Sequence, residues 1–385
     1  MKLVVQVRLF PGASDAEALR ETLALCNEAA NHVSRRGFEA GVTGKQSLQR
    51  LTYGDLKDMG LSAQPAINAA RKVSGAYAAL KANIRAGNYG EPGSPRRTAA
   101  EGKPVVFRPD AAQPFDDRCL SWQYGTAAVS IWTTAGRLKN IPFTCSPAGR
   151  KLLEQHRQGE SDLAYRNGMW FLYATCEVPE PPVTEPAGWL GVDLGIVNIA
   201  TDSDGRISAG RQLNRHRERQ VLLRRKLQAK GTQSARRVLK RRRRKETRMA
   251  RDINHVISKS IVTEAQRTSR GIALEELMGI RERVRLRKSQ RVTLHSWSFA
   301  QLGQFIAYKA RRAGVPVMFV DPAYTSRMCA DCGYTDKKNR VSQARFICRS
   351  CGVVAHADRN ASRNIGARAR GLRDSGALSP APAPA

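Results

Sequence analysis

Residues 325–365 read TSRMCADCGYTDKKNRVSQARFICRSCGVVAHADRNASRNI. Four cysteines stand in this stretch as two CxxC pairs, Cys329 with Cys332 and Cys348 with Cys351, and each pair runs into a glycine, Gly333 and Gly352. A CxxC turn lets two thiolates reach one ion, and a following glycine lets the backbone fold back around it. Two such turns make a closed tetrahedral site of four sulfurs, the usual structural zinc ribbon, which predicts one Zn²⁺; disulfides and free thiols are the alternatives. Between the turns lie Lys337, Lys338, Arg340 and Arg345, and Arg327 precedes the first cysteine. A ribbon with a basic loop is more often a nucleic-acid contact than a catalyst.

Three acidic positions around the ribbon add chemistry. Asp358 follows the last cysteine and opens a helical run; alone it reads as an N-cap or a solvated charge. Far upstream, WLGVDLGIVNIATDSDG sets Asp193 inside an apolar strand, on the face opposite Val192 and Leu194. A charge there needs partners or a metal, because burying it alone is costly. In GIALEELMGI, Glu275 follows the apolar run Ile272-Ala273-Leu274, with Glu276 beside it. Two strands ending in carboxylates, joined by an aspartate on a later helix, is how ribonuclease-H-like nucleases assemble a two-metal site.

Together GVDLG, ALEEL, TSRMCADCG, CRSCG and DRNASRNI, in that order over most of residues 189–365, resemble the TnpB family of transposon-encoded proteins, relatives of the type V CRISPR effectors. Two departures stand out, Arg359 beside the aspartate and the doubled Glu275-Glu276, and neither removes a carboxylate. The resemblance implies an α/β multidomain protein: an RNase H-like (RuvC-like) nuclease domain interrupted by the zinc ribbon, behind an N-terminal β-barrel (wedge-like) domain that carries a helical insertion. It implies an RNA-guided DNA endonuclease whose partners are a guide RNA and a double-stranded target with a short flanking motif. Asp193, Glu275 and Asp358 would hold two catalytic Mg²⁺, with Asp193 bridging them and the zinc purely structural. A compact CRISPR effector of the same architecture, a guided repressor that does not cut, and a transposase are the competing readings. The three intact carboxylates speak against the repressor, and the inserted ribbon against the transposase.

Composition agrees with a polyphosphate partner. The chain has 385 residues, room for two or three domains, and Lys plus Arg number 65 against 33 Asp plus Glu, a net charge of +32. No run of about 18 apolar residues and no opening signal peptide is present, which predicts no membrane association. Cys26, Cys119, Cys145 and Cys176 show no pairing pattern, so a reducing cytoplasm fits best.

Taken in order, residues 1–10 alternate as a first strand of the β-barrel domain, and residues 11–102 are expected to be helical. Ser14 is a candidate N-cap for a helix to about residue 32, and Ser62 for a helix over 63–84. On that second helix Gln64, Asn68, Arg71 and Lys72 lie away from the apolar stripe of Val73, Tyr77, Leu80 and Ile84. They read equally as a solvated face or as groups that contact base edges and phosphates of the flanking motif. Residues 103–178 return to short strands, at 105–107, 127–132 and 170–176, and complete the barrel. Residues 179–188 are a proline-rich linker. The nuclease domain is expected over 189–325 and 355–370, with the ribbon insertion at 326–354 and a disordered tail at 371–385. Within it, residues 190–194, 197–201 and 206–208 read as a meander. Residues 211–270 read as two long helices broken near Gly231. The run Lys240, Arg241, Arg242, Arg243, Arg244 and Lys245 sits among helix-spaced Val238, Met249, Ile253 and Val256, a structured nucleic-acid face rather than a tail. Residues 281–291 are a basic stretch without period, read as a flexible lid.

Overall fold

The computed structural model describes residues 1–276 and 299–376. It divides into two compact units, Met1–Pro179 and Glu180–Ala385. The basic stretch 281–291 and the end of the chain from residue 377 lie outside the described residues.

The first unit is built on a seven-stranded sheet. Its strands are β1 (Lys2–Leu9), β2 (Gln113–Phe115), β3 (Leu120–Gln123), β4 (Ala128–Thr133), β5 (Gly136–Thr144), β6 (Arg157–Arg166) and β7 (Met169–Glu177), ordered β2-β6-β7-β1-β5-β4-β3. The first strand of the chain thus closes the gap between β7 and β5. Val5, Val7 and Leu9 on its inner face join Leu172, Ala174, Ile141 and Phe143 in one core. Phe115 and Leu120, on the two edge strands, share that core, so the sheet curls to a near-barrel without β2 pairing to β3.

Three helices enter between β1 and β2: α1 (Ala13–Glu39), α2 (Lys45–Asp58) and α3 (Ala63–Arg85). They have their own core, in which Cys26, Ala30 and Val33 of α1 meet Leu48 and Leu56 of α2 and Ala66, Ala70, Val73 and Tyr77 of α3. Short α4 (Pro95–Glu101) and α5 (Pro147–His156) complete the unit. Two expectations need correction. Gly12, not Ser14, caps α1. Residues 105–107 are not a strand, because Asn31 takes both backbone groups of Phe107: its Oδ1 accepts from the amide at 2.7 Å and its Nδ2 donates to the carbonyl at 2.9 Å.

The second unit has five strands, β8 (Trp189–Asp193), β9 (Asn198–Asp202), β10 (Ile207–Ala209), β11 (Gly271–Glu275) and β12 (Val317–Val320), ordered β10-β9-β8-β11-β12. The first three form the antiparallel meander, and β11 and β12 join parallel to β8. The crossover from β10 to β11 is made by α6 (Arg211–Lys230) and α7 (Gln233–Arg267). They part at Gly231, which caps α6 in the left-handed region at φ +63°. Helix α8 (Phe299–Arg312) precedes β12. A hairpin of β13 (Arg345–Ile347) and β14 (Val354–His356) leads into α9 (Ala357–Asp374).

Helices cover both faces of this sheet. Leu190, Val192, Ile272 and Leu274 pack with Ile257 and Ile261 of α7 and Leu302 and Ile306 of α8. On the opposite face Trp189, Ala273, Met318 and Val320 pack with Ile365 and Ala369 of α9. Gly191 fixes how closely α9 can lie. A Cβ there would stand 1.9 Å from the Ser362 carbonyl oxygen and 2.5 Å from the Gly366 nitrogen. Gly366 faces it from the helix, so backbone rests on backbone at this crossing.

Candidate metal centres

The cysteine site is assembled from two turns of the same construction. In each, the glycine after the CxxC pair takes a positive φ, +77° at Gly333 and +74° at Gly352. Its amide donates back to the carbonyl of the first cysteine of the pair, Cys329 or Cys348, at 3.0 and 3.1 Å. The Sγ atoms of Cys329, Cys332, Cys348 and Cys351 all lie within 4.8 Å of one another. Sγ of Cys329 is 3.7 Å from that of Cys351, and Sγ of Cys332 is 3.6 Å from that of Cys348. A zinc tetrahedron with Zn–S near 2.3 Å has edges of about 3.8 Å, whereas a disulfide needs about 2.05 Å. The donor set therefore fits zinc and not a pair of disulfides. Backbone amides of Ser350 and Cys351 donate to the Cys348 sulfur and draw its pKa down to about 6, toward the thiolate a metal requires.

The carboxylates come together differently. On β8, Trp189, Gly191 and Asp193 alternate onto the face that receives α9, opposite Leu190 and Val192. On β11 the same alternation sends Glu275 to the face of Ala273, away from Ile272 and Leu274. Val192 is level with Leu274 in the parallel register, so Asp193 and Glu275 end neighbouring strands side by side. Asp358 stands in the first turn of α9, the helix seated on Gly191. Burial, and then the negative charges of Glu275 and Asp358, push the Asp193 carboxyl up to about 8. Burial also raises Glu275, opposed by a hydrogen bond from Thr325. This is a set of acids in which Arg340 and Arg368 only partly offset the rise at Asp193 and Glu275. It is more open than the cysteine site, which among the described residues is the only group whose ligand atoms all fall within 4.8 Å.

Three further residues fix the carboxylates. Thr325 Oγ1 donates to Glu275 Oε1 at 2.5 Å. Asn198 Nδ2 donates to Asp358 Oδ2 at 2.9 Å, and an Arg340 Nη2 reaches Asp358 Oδ1 at 3.3 Å. The sequence reading named Arg340 only as a loop cation and did not find Asn198 or Thr325. Glu276 sends its backbone amide to the Val320 carbonyl at 2.8 Å, continuing the β11–β12 pairing, so its side chain takes the alternate face from Glu275.

The basic residues divide. Lys240, Arg241, Arg242 and Lys245 are exposed on α7, as is Arg327 ahead of the first cysteine. Arg243 and Arg244 belong to the same helix, but their side chains lie outside the described residues. The four residues on α3 do not form an open reading face. Asn68 is only 1 % exposed. The Lys72 ammonium donates to Asn27 Oδ1 at 2.5 Å and Gln113 Oε1 at 3.3 Å, and burial brings its pKa down to about 8. Arg71 pairs with Glu160, and Gln64 bonds Asp116 and Arg118. Side-chain spacing on one helix could not reveal that, because the partners lie on other elements: Asn27 on α1, Gln113 on β2, Asp116 and Arg118 between β2 and β3, and Glu160 on β6.

Two family models match the chain: Probable transposase over residues 173–278 and Cas12f1-like, TNB domain over residues 299–365. The CRISPR-associated endodeoxyribonuclease Cas12f1 of Sulfoacidibacillus thermotolerans is 44% identical over 113 residues, 29% of this chain and 25% of that protein. The putative RNA-guided DNA endonuclease InsQ of Escherichia coli K12 is 28% identical over 218 residues, 51% of this chain and 53% of that protein. The TnpB-like protein MJ0751 of Methanocaldococcus jannaschii is 36% identical over 122 residues, 31% of this chain and 43% of that protein. The chain thus spans from a quarter to about half of the length of these relatives. Among solved structures, the mini-RNA-guided endonuclease CRISPR-Cas_phi3 aligns over 96% of this chain and 92% of its own, with a TM-score of 0.55 and 11% identity. That likeness is one of fold. By sequence, the chain is similar to proteins named as RNA-guided or CRISPR-associated DNA endonucleases. More narrowly, its resemblance to the TnpB family and its type V CRISPR relatives, first read from the carboxylates and the CxxC pairs, is borne out by both models and all three relatives.

Proposed function

We propose that the chain is an RNA-guided, Mg²⁺-dependent DNA endonuclease of the TnpB kind, cutting double-stranded DNA beside a short flanking motif. One observation carries the reading: Asp193 and Glu275 end adjacent parallel strands, and Asp358 begins the helix seated against the same face. Such a set has the hard oxygen donors that Mg²⁺ prefers, and two ions are the number this reading calls for. When bound, the ions would supply an activated water and stabilise the leaving oxygen of the phosphodiester. Asp193, which feels the charges of both Glu275 and Asp358, would hold the ions together with these two residues. Thr325 holds the Glu275 carboxylate in place, and Asn198 and Arg340 hold that of Asp358.

In this reading residues 189–325 and 355–370 make an RNase H-like (RuvC-like) domain, residues 326–354 a zinc ribbon, and the first unit a wedge-like barrel with a helical insertion. Lys240, Arg241, Arg242 and Lys245 on α7, with Arg327, neutralise guide and target phosphates, while pairing to the guide supplies sequence choice. Gln64 and Arg71 on α3 are partly exposed but paired with Asp116, Arg118 and Glu160, so they would meet the flanking motif only by exchanging these partners. The 44% identity to a Cas12f1 over 113 residues favours one second reading, a compact CRISPR effector with the same chemistry.

The test separates binding from cutting. Asp193→Ala, Glu275→Ala and Asp358→Ala should each lower cleavage at least about a hundredfold while guided DNA binding stays within about threefold of wild type, because the basic contacts are remote from the carboxylates. Full cleavage by any one variant would remove that residue from the site. A cleavage library with randomised flanks, run on Gln64→Ala and Arg71→Ala, tests the α3 contacts.

A further inference from the structure

We propose that the cysteine site and the carboxylate site are coupled, and that Asn360 and Asn364 are the positioning residues that join them. Ion binding at either site would strengthen binding at the other. The inference rests on the reading of Asp193, Glu275 and Asp358 as divalent-ion ligands.

Both asparagines are 1 % exposed and stand one turn apart on α9. Asn360 Oδ1 accepts from the Ala330 amide at 2.9 Å, and its Nδ2 donates to the Met328 carbonyl at 2.7 Å. Asn364 Nδ2 donates to the Thr325 carbonyl at 2.8 Å and to the same Met328 carbonyl at 2.7 Å. Cys329 lies between the two bonded residues Met328 and Ala330, so α9 grips the first cysteine turn by its backbone on both sides. An exposed ion pair, Arg363 with Asp331 at 2.7 Å, adds an outer link.

The gripped segment, the helix that grips it and the loop between the cysteine pairs each reach a carboxylate. The segment's first residue, Thr325, orients Glu275. The helix that grips it bears Asp358 two residues before Asn360. Arg340, between the cysteine pairs, contacts Asp358 directly. The lobe around the cysteines has little apolar support of its own: Cys329, Phe346, Cys348 and Ala357, with Val353 beside them. For so small a core, metal binding free energy is folding free energy. Losing zinc would release the Thr325–Ala330 segment and leave Asn360 and Asn364 with buried, unmatched amides. Thr325 and the start of α9 would then be free to move, and the carboxylates with them. Linkage makes the effect reciprocal: ions that order Asp358 and Glu275 must tighten the zinc turn by the same factor.

The experiment follows zinc release from the full-length, zinc-loaded protein into a zinc-selective chromophoric chelator, with and without Mg²⁺. In wild type Mg²⁺ should slow release about fivefold or more. Asn360→Ala and Asn364→Ala should release zinc faster and lose the Mg²⁺ effect, whereas Arg363→Gln, at the exposed link, keeps it. In guide-programmed cleavage the asparagine variants should need about fivefold more Mg²⁺ for half-maximal rate yet approach the wild-type rate at saturation. A merely structural defect would instead lower the rate at every Mg²⁺ concentration. Wild-type release indifferent to Mg²⁺, or variants that keep the full Mg²⁺ effect, would overturn the coupling. Should the variants fail to fold, the wild-type comparison alone decides. A wild type that holds zinc more tightly with Mg²⁺ but cuts no DNA keeps the coupling and sinks the nuclease reading.

Discussion

At the scale of single residues, Asp193 carries the largest electrostatic consequence. Its folded pKa is raised to about 8, so between the unfolded value of about 3.9 and about 8 the folded state holds a proton that the unfolded chain has released. Stability from this group is therefore full below about pH 4 and is lost as pH climbs through 8. Asp193→Asn keeps the shape and removes the titration. The variant should match wild type near pH 4.5 and exceed it by a few kcal/mol, on the order of 2–4, near pH 8 in metal-free buffer. Urea unfolding at the two pH values checks this, and added Mg²⁺ should narrow the gap by binding only wild type. Asp193 was legible in the sequence because a charge within an alternating apolar strand is conspicuous. Asn198, Thr325 and Arg340 were not, since each is an ordinary polar residue whose partner lies on another element: Asp358 across the meander, Glu275 at the end of β11, Asp358 again beyond the hairpin.

At the scale of elements, legibility followed periodicity. The helix over 63–84 and the break at Gly231 were read almost to the residue, because apolar spacing and a left-handed glycine are local signals. Helix α2 was passed over: its buried line is Leu48, Thr52 and Leu56, and Thr52 satisfies its hydroxyl on the Leu48 carbonyl at 2.8 Å, which no hydropathy pattern reveals. The crossing of α9 on β8 was equally silent, for Gly191 in GVDLG looks like a turn residue until a helix is laid over it. Two substitutions measure what that crossing is worth. Gly191→Ala should destabilise the second unit by about 3 kcal/mol or more, since the new methyl meets backbone that cannot step aside. Gly303→Ala in the middle of α8, where a Cβ meets nothing within 4 Å, should stabilise by about 0.5–1 kcal/mol. Chemical denaturation of the full-length variants distinguishes the two outcomes. Equal effects would mean that the helix can shift on the strand.

At the scale of the whole molecule, the excess of 65 basic over 33 acidic residues governs behaviour toward polyanions. Affinity for a duplex of unrelated sequence should fall steeply with salt, with log K against log salt sloping about −5 or steeper, as six or more phosphate contacts release their counterions. Replacing Lys240, Arg241, Arg242 and Lys245 together by alanine should flatten that slope by about 3, and an unchanged slope would place the contacts elsewhere. The way α9 is seated has a last consequence, for the order in which the chain is made. Asp193, Glu275 and the long basic helices are synthesised ahead of α9, while the notch at Gly191 stands open beside Trp189. In the nuclease reading, a ribosome stalled anywhere before Ala357 would hold a polypeptide with the basic helices proposed to meet nucleic acid but without Asp358, the helix that presents it, and the asparagines that anchor the cysteine turn. In the nuclease reading proposed above, translation would itself act as the safety catch: the cutter would stay blunt until α9 drops into place.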